Sequence, residues 1–209
     1  MHSFVKAVFG MGVIAMLGLR GVQSSPAAQV VLSDPLTSWP LNFGTQSDRI
    51  KLKDGAVHII ETSAAANWAI FTGFNFTDME ASLTIAPQVP TGNAAGLIFW
   101  ATSQSDFFIV SIDDVSGTFG VSRRISANGG SWQVLVPYTA NAAVKSGTGA
   151  VNTIRIVTKG NSVALFINGQ SIGTLAVPAP AGGGTVGIEG EGQDGKPADY
   201  IFSNISVSQ

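Results

Sequence analysis

Residues 151–177 read VNTIRIVTKGNSVALFINGQSIGTLAV. Within this stretch Val163, Leu165 and Ile167 alternate with Ala164 and Phe166, the period of two expected of a strand with one row turned inward. The Asn168-Gly169 pair then breaks the run before SIGTLAV (171–177). Glycine reaches positive φ without penalty and asparagine tolerates it, so the pair predicts a tight hairpin and makes its two flanking strands antiparallel neighbours. The segment 151–159 before them reads as a further strand with its own inward row.

The same grammar extends in both directions. Strands are predicted at 57–62, 68–73, 76–86, 94–102, 106–113 and 118–126, and again at 131–137, 151–159, 162–169, 171–177, 184–190 and 200–208. In 76–86, Met79, Ala81, Leu83 and Ile85 share one parity and Asp78, Glu80, Ser82 and Thr84 the other, one face for packing and one for water. Helical spacing of apolar residues is absent over any long stretch, and no repeat period persists, which removes propellers and solenoids. Frequent turns between short strands argue an all-β, two-sheet antiparallel sandwich. The segments 138–150 and 178–184, rich in small residues, read as loops.

Three blocks, AGLIFWATSQSDFFIVSI, SWQVLVPYTANAAVKSGTGAVNTIRIVTKGNSVALFINGQSIGTL and the closing YIFSNISVS, resemble the concanavalin A-like lectin/glucanase superfamily. The likeness is strongest to its laminin-G-like jelly rolls and their uncharacterised bacterial relatives, and covers about residues 55–209. It implies a jelly-roll sandwich that presents sugars or ions on its concave face or rim loops. It does not choose among hydrolases, lectins and adhesion modules. Residues 28–54 read as a lead-in and first strand belonging to that one domain.

Residues 1–27 have the form of a secretory signal: Lys6, an apolar run from Ala7 to Leu19, then small residues before a cut between Ala27 and Ala28. That run, interrupted by Arg20, is too short for a stable transmembrane anchor. The chain has no cysteine, so neither disulfides nor a lipidated cysteine enter. An exported protein of the bacterial periplasm or extracellular space is expected. Eleven basic residues against thirteen acidic ones give a formal charge of -2, which offers no surface for nucleic acid. His58 has no second histidine near it, which removes a conventional zinc enzyme. There is no nucleophile elbow and no phosphate-binding glycine loop.

Hydrolysis of a glycoside needs two converging carboxyl groups. The weak catalytic candidates are Asp78 and Glu80 on one strand face, with Glu189 or Glu191 facing them across a groove. Glu189, Glu191, Asp194 and Asp199, among glycines, are also weak candidates for a calcium site, since hard oxygen ligands suit that ion. No cofactor is required. Aromatic planes for sugar faces could come from Trp68, Trp100, Trp132 or Tyr138. Trp132 stands beside a turn, with Arg124 and Gln133 available across a hairpin, so Trp132, Arg124, Gln133 and Tyr138 form the predicted carbohydrate site. Trp100 shares parity with Gly96 and Ile98 and reads as core. The bland alternative for each is packing or a solvated strand face. The leading expectation is a noncatalytic carbohydrate-recognition or cell-surface interaction domain. A glycoside hydrolase with carboxylates from separate strands, and an adhesion protein whose partner is an envelope protein, are the alternatives.

Overall fold

The computed structural model describes residues 28–89, 93–127 and 130–209, so the expected signal at 1–27, and Asn128 and Gly129 beside Trp132 in sequence, lie outside the described residues. In chain order the strands are β1 (Val30–Asp34), β2 (Ile50–Lys53), β3 (Ala56–Glu61), β4 (Ala66–Ile70), β5 (Glu80–Pro87), β6 (Ala94–Ser103) and β7 (Asp106–Asp113). They continue with β8 (Thr118–Ile125), β9 (Ser131–Ala140), β10 (Asn152–Lys159), β11 (Ser162–Ile167), β12 (Gln170–Ala176), β13 (Thr185–Glu191) and β14 (Ala198–Ser208). Among the described residues the one helical element is a 3-10 turn, Leu41–Phe43.

The strands form an all-β, two-sheet antiparallel jelly roll. One sheet runs β12-β11-β10-β5-β14-β3-β2, and the other runs β4-β13-β6-β7-β8-β9. β14 is long enough to serve two partners along one edge, with β5 on the other: β3 pairs with Ala198–Phe202 and β1 with the stretch from Ile205 to Ser208. The twelve strands expected from alternation all form, with ends shifted by a few residues. The largest shift is at β5, which starts at Glu80 where the strand was expected from residue 76, and β9 continues to Ala140 where a loop was expected from residue 138.

The interior is filled from both layers. Met79, Ala81, Leu83, Ile85, Val163, Leu165 and Ile167 on the first sheet meet Leu97, Phe99, Val110, Val121, Val186 and Ile188 on the second. The outward faces of the two sheets differ, and that difference places the site. On the first sheet the outward row is polar, with Ser82 hydroxyl against Ser206 at 2.9 Å and Thr84 against Thr153 at 3.3 Å. On the second, Ile70, Ile98, Ala101, Phe107 and Ile109 are buried as a separate apolar cluster with Trp68 packed on it. This is why β7 reads FFIV without alternation, since both of its faces are covered.

Trp100 is buried in the main interior, but not by parity. Its φ is +49°, and the pairing register shifts on both sides of it, a bulge that turns Phe99 and Trp100 alike inward and returns Ala101 to the outer cluster. The expected core role holds while the reason given for it is corrected. The Trp100 indole N–H is satisfied by donating to the Thr77 carbonyl at 2.9 Å.

Candidate functional site

Cross-strand register places the outward row of the six-stranded sheet. Trp68 lies opposite Glu189, Glu189 opposite Gly96, Gly96 opposite Ser111, and Phe107 opposite Arg124, which in turn faces Trp132. Arg124 Cζ lies 4.7 Å from the Trp68 ring centre and 5.4 Å from that of Trp132, with the Phe107 ring touching both indoles. β8 and β4 are four strand steps apart, about 19 Å on a flat sheet. An arginine and a tryptophan side chain together do not span that gap, so the sheet is curled and its outward face is concave. The two indoles, from the sheet's opposite edges, and the guanidinium between them form a platform above the apolar cluster. Trp132 keeps 41% of its surface open to solvent.

Beside the platform lies a cleft of about 350 Å³, walled by Ile109, Ser111, Gly120, Ser122, Trp132, Tyr138, Glu191 and the Ala64–Ala66 turn. Gly120 lies at its floor with the Tyr138 ring packed closely over it, 3.3 Å from where a Cβ would stand. Burial and the nearby Glu191 charge push the Tyr138 phenol up, so it stays a protonated donor, and its hydroxyl meets Ser111. Burial raises Glu191 as well. Glu189, one turn of the pleat away, is 0% exposed with neither carboxyl oxygen satisfied. Its pKa rises well above the usual carboxylate range, first from burial and then from the adjacent Glu191.

Against this geometry, the sequence profile of the 3-keto-alpha-glucoside-1,2-lyase-like domain matches residues 31–208. The chain belongs to that family. A search of curated proteins finds none that matches this chain. Among solved structures it is similar to carbohydrate binding module CBM66 from Bacillus subtilis (TM-score 0.60, 10% identity, 73% of this chain and 86% of that one). It is also similar to a β-glucanase of Bacillus licheniformis (TM-score 0.57, 10% identity, 85% and 97%) and to a prokaryotic β-1,3-1,4-glucanase from a mouse hindgut metagenome (TM-score 0.59, 9% identity, 84% and 97%). At such identities the likeness is one of fold alone, a two-sheet jelly roll.

The lyase-like domain brings together Arg124, Trp132 and Tyr138 of the predicted carbohydrate site, and adds Trp68, Ser111 and Ser122. Gln133 is corrected: it pairs opposite Arg123 and therefore projects from the other face of β9. The proposed convergence of Asp78 and Glu80 with Glu189 and Glu191 is also corrected. Asp78 accepts a hydrogen bond from the Gly160 amide at 2.8 Å, and Glu80 pairs with Arg155 at 3.3 Å, both on the eight-stranded sheet and directed away from the cleft. The set Glu189, Glu191, Asp194 and Asp199 is dispersed. Asp194 accepts from the Ala64 amide at 2.9 Å, and Asp199 binds Lys53 at 3.0 Å and His58 Nδ1 at 2.6 Å on the opposite sheet. Among the described residues no three acidic or histidine groups are placed to hold a metal ion. The His58–Asp199 pair, 141 residues apart, was beyond any spacing argument.

Proposed function

We propose that this chain is an exported glycan-recognition domain that binds sugar on the concave face of its six-stranded sheet without cleaving it. The observation that carries the reading is the Trp68–Arg124–Trp132 platform opening onto a cleft lined by hydroxyls. Flat apolar surfaces suit the C–H faces of pyranose rings, and Ser111, Ser122 and Tyr138 supply oriented hydrogen-bonding groups beside them. Two-carboxylate hydrolysis is disfavoured because Glu189 is sealed from the cleft, and Asp113, the carboxylate beside Glu191, is taken up by the Val115 and Ser116 amides and the Ser116 hydroxyl. The apolar segment at 7–19 supports export.

Binding of the purified chain to a panel of soluble polysaccharides, by affinity electrophoresis and then calorimetry, tests the reading. Trp132→Ala is expected to weaken binding at least tenfold with an unchanged melting temperature. Absence of binding by the unaltered chain, or equal binding by the variant, overturns it.

A second reading rests on the family's name together with Glu191 and Tyr138 in one cleft. In a 3-keto-α-glucoside the ketone acidifies the C2 hydrogen. A carboxylate can take that proton while the C1–O bond breaks, forming a C1=C2 double bond and releasing the departing oxygen as a hydroxyl once protonated. Glu191 would serve as base and Tyr138 as the proton donor. Formation of the ultraviolet-absorbing enone from a 3-keto-α-glucoside, abolished in Glu191→Gln, would establish this chemistry; no product above the uncatalysed rate would dismiss it.

A further inference from the structure

Resting on the glycan-binding reading, we infer that the platform takes an anionic sugar, a uronate or sulfated residue, whose charge is held by Arg124. The other described arginines have acceptors of their own. Arg49 donates to Thr62 at 2.7 Å and lies 3.9 Å from Glu61, Arg123 pairs with Asp106 at 3.2 Å, and Arg155 pairs with Glu80 at 3.3 Å. Arg124 has no carboxylate and no hydrogen-bond acceptor among the described residues, and its Nε is enclosed without a partner.

Its position is nevertheless built. The guanidinium is held over two indole rings, and Gly130, at a φ of +90°, packs closely on it, with Nη2 2.5 Å from where a Cβ would stand. Rings attract the faces of a guanidinium, but its N–H donors lie in its plane and are not satisfied by stacking. A half-desolvated cation with unused, pre-oriented donors favours a ligand that brings both charge and two acceptor oxygens. A neutral hydroxyl supplies only one acceptor and no charge.

The remainder of the cleft sets the ligand's direction. Glu191 lines the far end, with Asp113 close enough to raise its pKa. The register puts that end near Asp113 and Arg124 near Phe107, six residues along β7 and about 20 Å away. The anion therefore lies on the platform, and neutral sugar residues extend along the strands toward Tyr138 and Glu191. An evenly charged polyanion would be repelled at that end.

The test uses matched oligosaccharide pairs on an array: uronates against their carboxyl-reduced forms, and sulfated glycans against their desulfated forms. The unaltered chain is expected to bind one acidic class at least tenfold more tightly than its neutral partner, and the class bound distinguishes carboxylate from sulfate. In 0.5 M salt the gap narrows. Arg124→Gln brings acidic binding down to the neutral level, and Arg124→Lys, which keeps charge but loses the planar fork, falls between. Equal binding within pairs, or an unchanged preference in Arg124→Gln, overturns the anion inference while leaving glycan recognition standing. No binding to any glycan overturns both. The comparison on the unaltered chain needs no variant to fold.

Discussion

Glu189 illustrates how one residue can be costly to the fold it sits in. Its side chain projects from β13 onto the concave face between Trp68 and the side-chain-free Gly96, where burial and the adjacent Glu191 both disfavour its charge. The folded chain therefore holds the proton well above the ordinary glutamate value of 4.5. Below that value both folded and unfolded chains are protonated and the group imposes no electrostatic cost. As pH rises past it the unfolded chain releases the proton while the folded chain keeps it, so stability falls until the folded value is passed. Glu189→Gln is expected to melt higher than the parent at pH 8 and at nearly the same temperature at pH 4, measured as a series of thermal melts. Parallel curves would show that the carboxyl is not held protonated. Some slope will persist in the variant, because burial also raises Glu191, Glu61 and Asp114.

At the scale of elements, the β11–β12 hairpin and the β6 bulge show which backbone features a sequence advertises. Asn168 and Gly169 take φ of +51° and +79°, the paired left-handed conformations that the dipeptide announces. Gly169→Ala is expected to cost about 1 kcal/mol in urea unfolding, from strain at positive φ. Asn168→Ala should cost more, about 2 kcal/mol. Its side chain accepts from the Thr153 amide at 2.9 Å and donates to the Ala143 carbonyl at 2.7 Å and to Asn152 Oδ1 at 2.8 Å, tying the hairpin to the loop before β10. If the two variants were equally stable, the side-chain bridge would have no energetic weight. The bulge at Trp100 gave no comparable signal. In AAGLIFWAT both faces of the strand are apolar, so a one-residue slip leaves the pattern unchanged. The positive φ of Trp100 and the register shifts beside it belong to the folded chain alone, where Gly184 meets the Trp100 backbone so closely that a Cβ would collide.

At the scale of the molecule, the two sheets share the main core. Ile59, Leu83, Ile154 and Phe202 from one layer and Leu97, Phe99, Val110 and Ile188 from the other belong to a single cluster, so the layers lose their packing together. Far-ultraviolet circular dichroism and tryptophan fluorescence, which samples Trp100 inside and Trp68 and Trp132 on the face, are expected to give coincident unfolding transitions. Separated midpoints would mean that the concave face opens before the sandwich does. Phe99→Ala should lower stability by about 3–5 kcal/mol, since it removes a fully buried ring from the shared core and leaves a cavity.

Alternation by itself determined the twelve strands, the inward rows of β5 and β11, and the tight turn at Asn168-Gly169, because these depend on side chains pointing to alternate sides of an extended backbone. It also picked out Trp132, Arg124 and Tyr138, through a turn and a parity that are local. What belonged to tertiary structure alone was the company each residue keeps. Curling of the six-stranded sheet carries Trp68 from one edge to Arg124 and Trp132 near the other. Layering sends Asp78 and Glu80 away from Glu189 and Glu191, and the register at Gly96 seals a glutamate that reads as exposed. Those outcomes follow from the sheet's curvature and the pairing of distant strands, and spacing along a chain carries no measure of either.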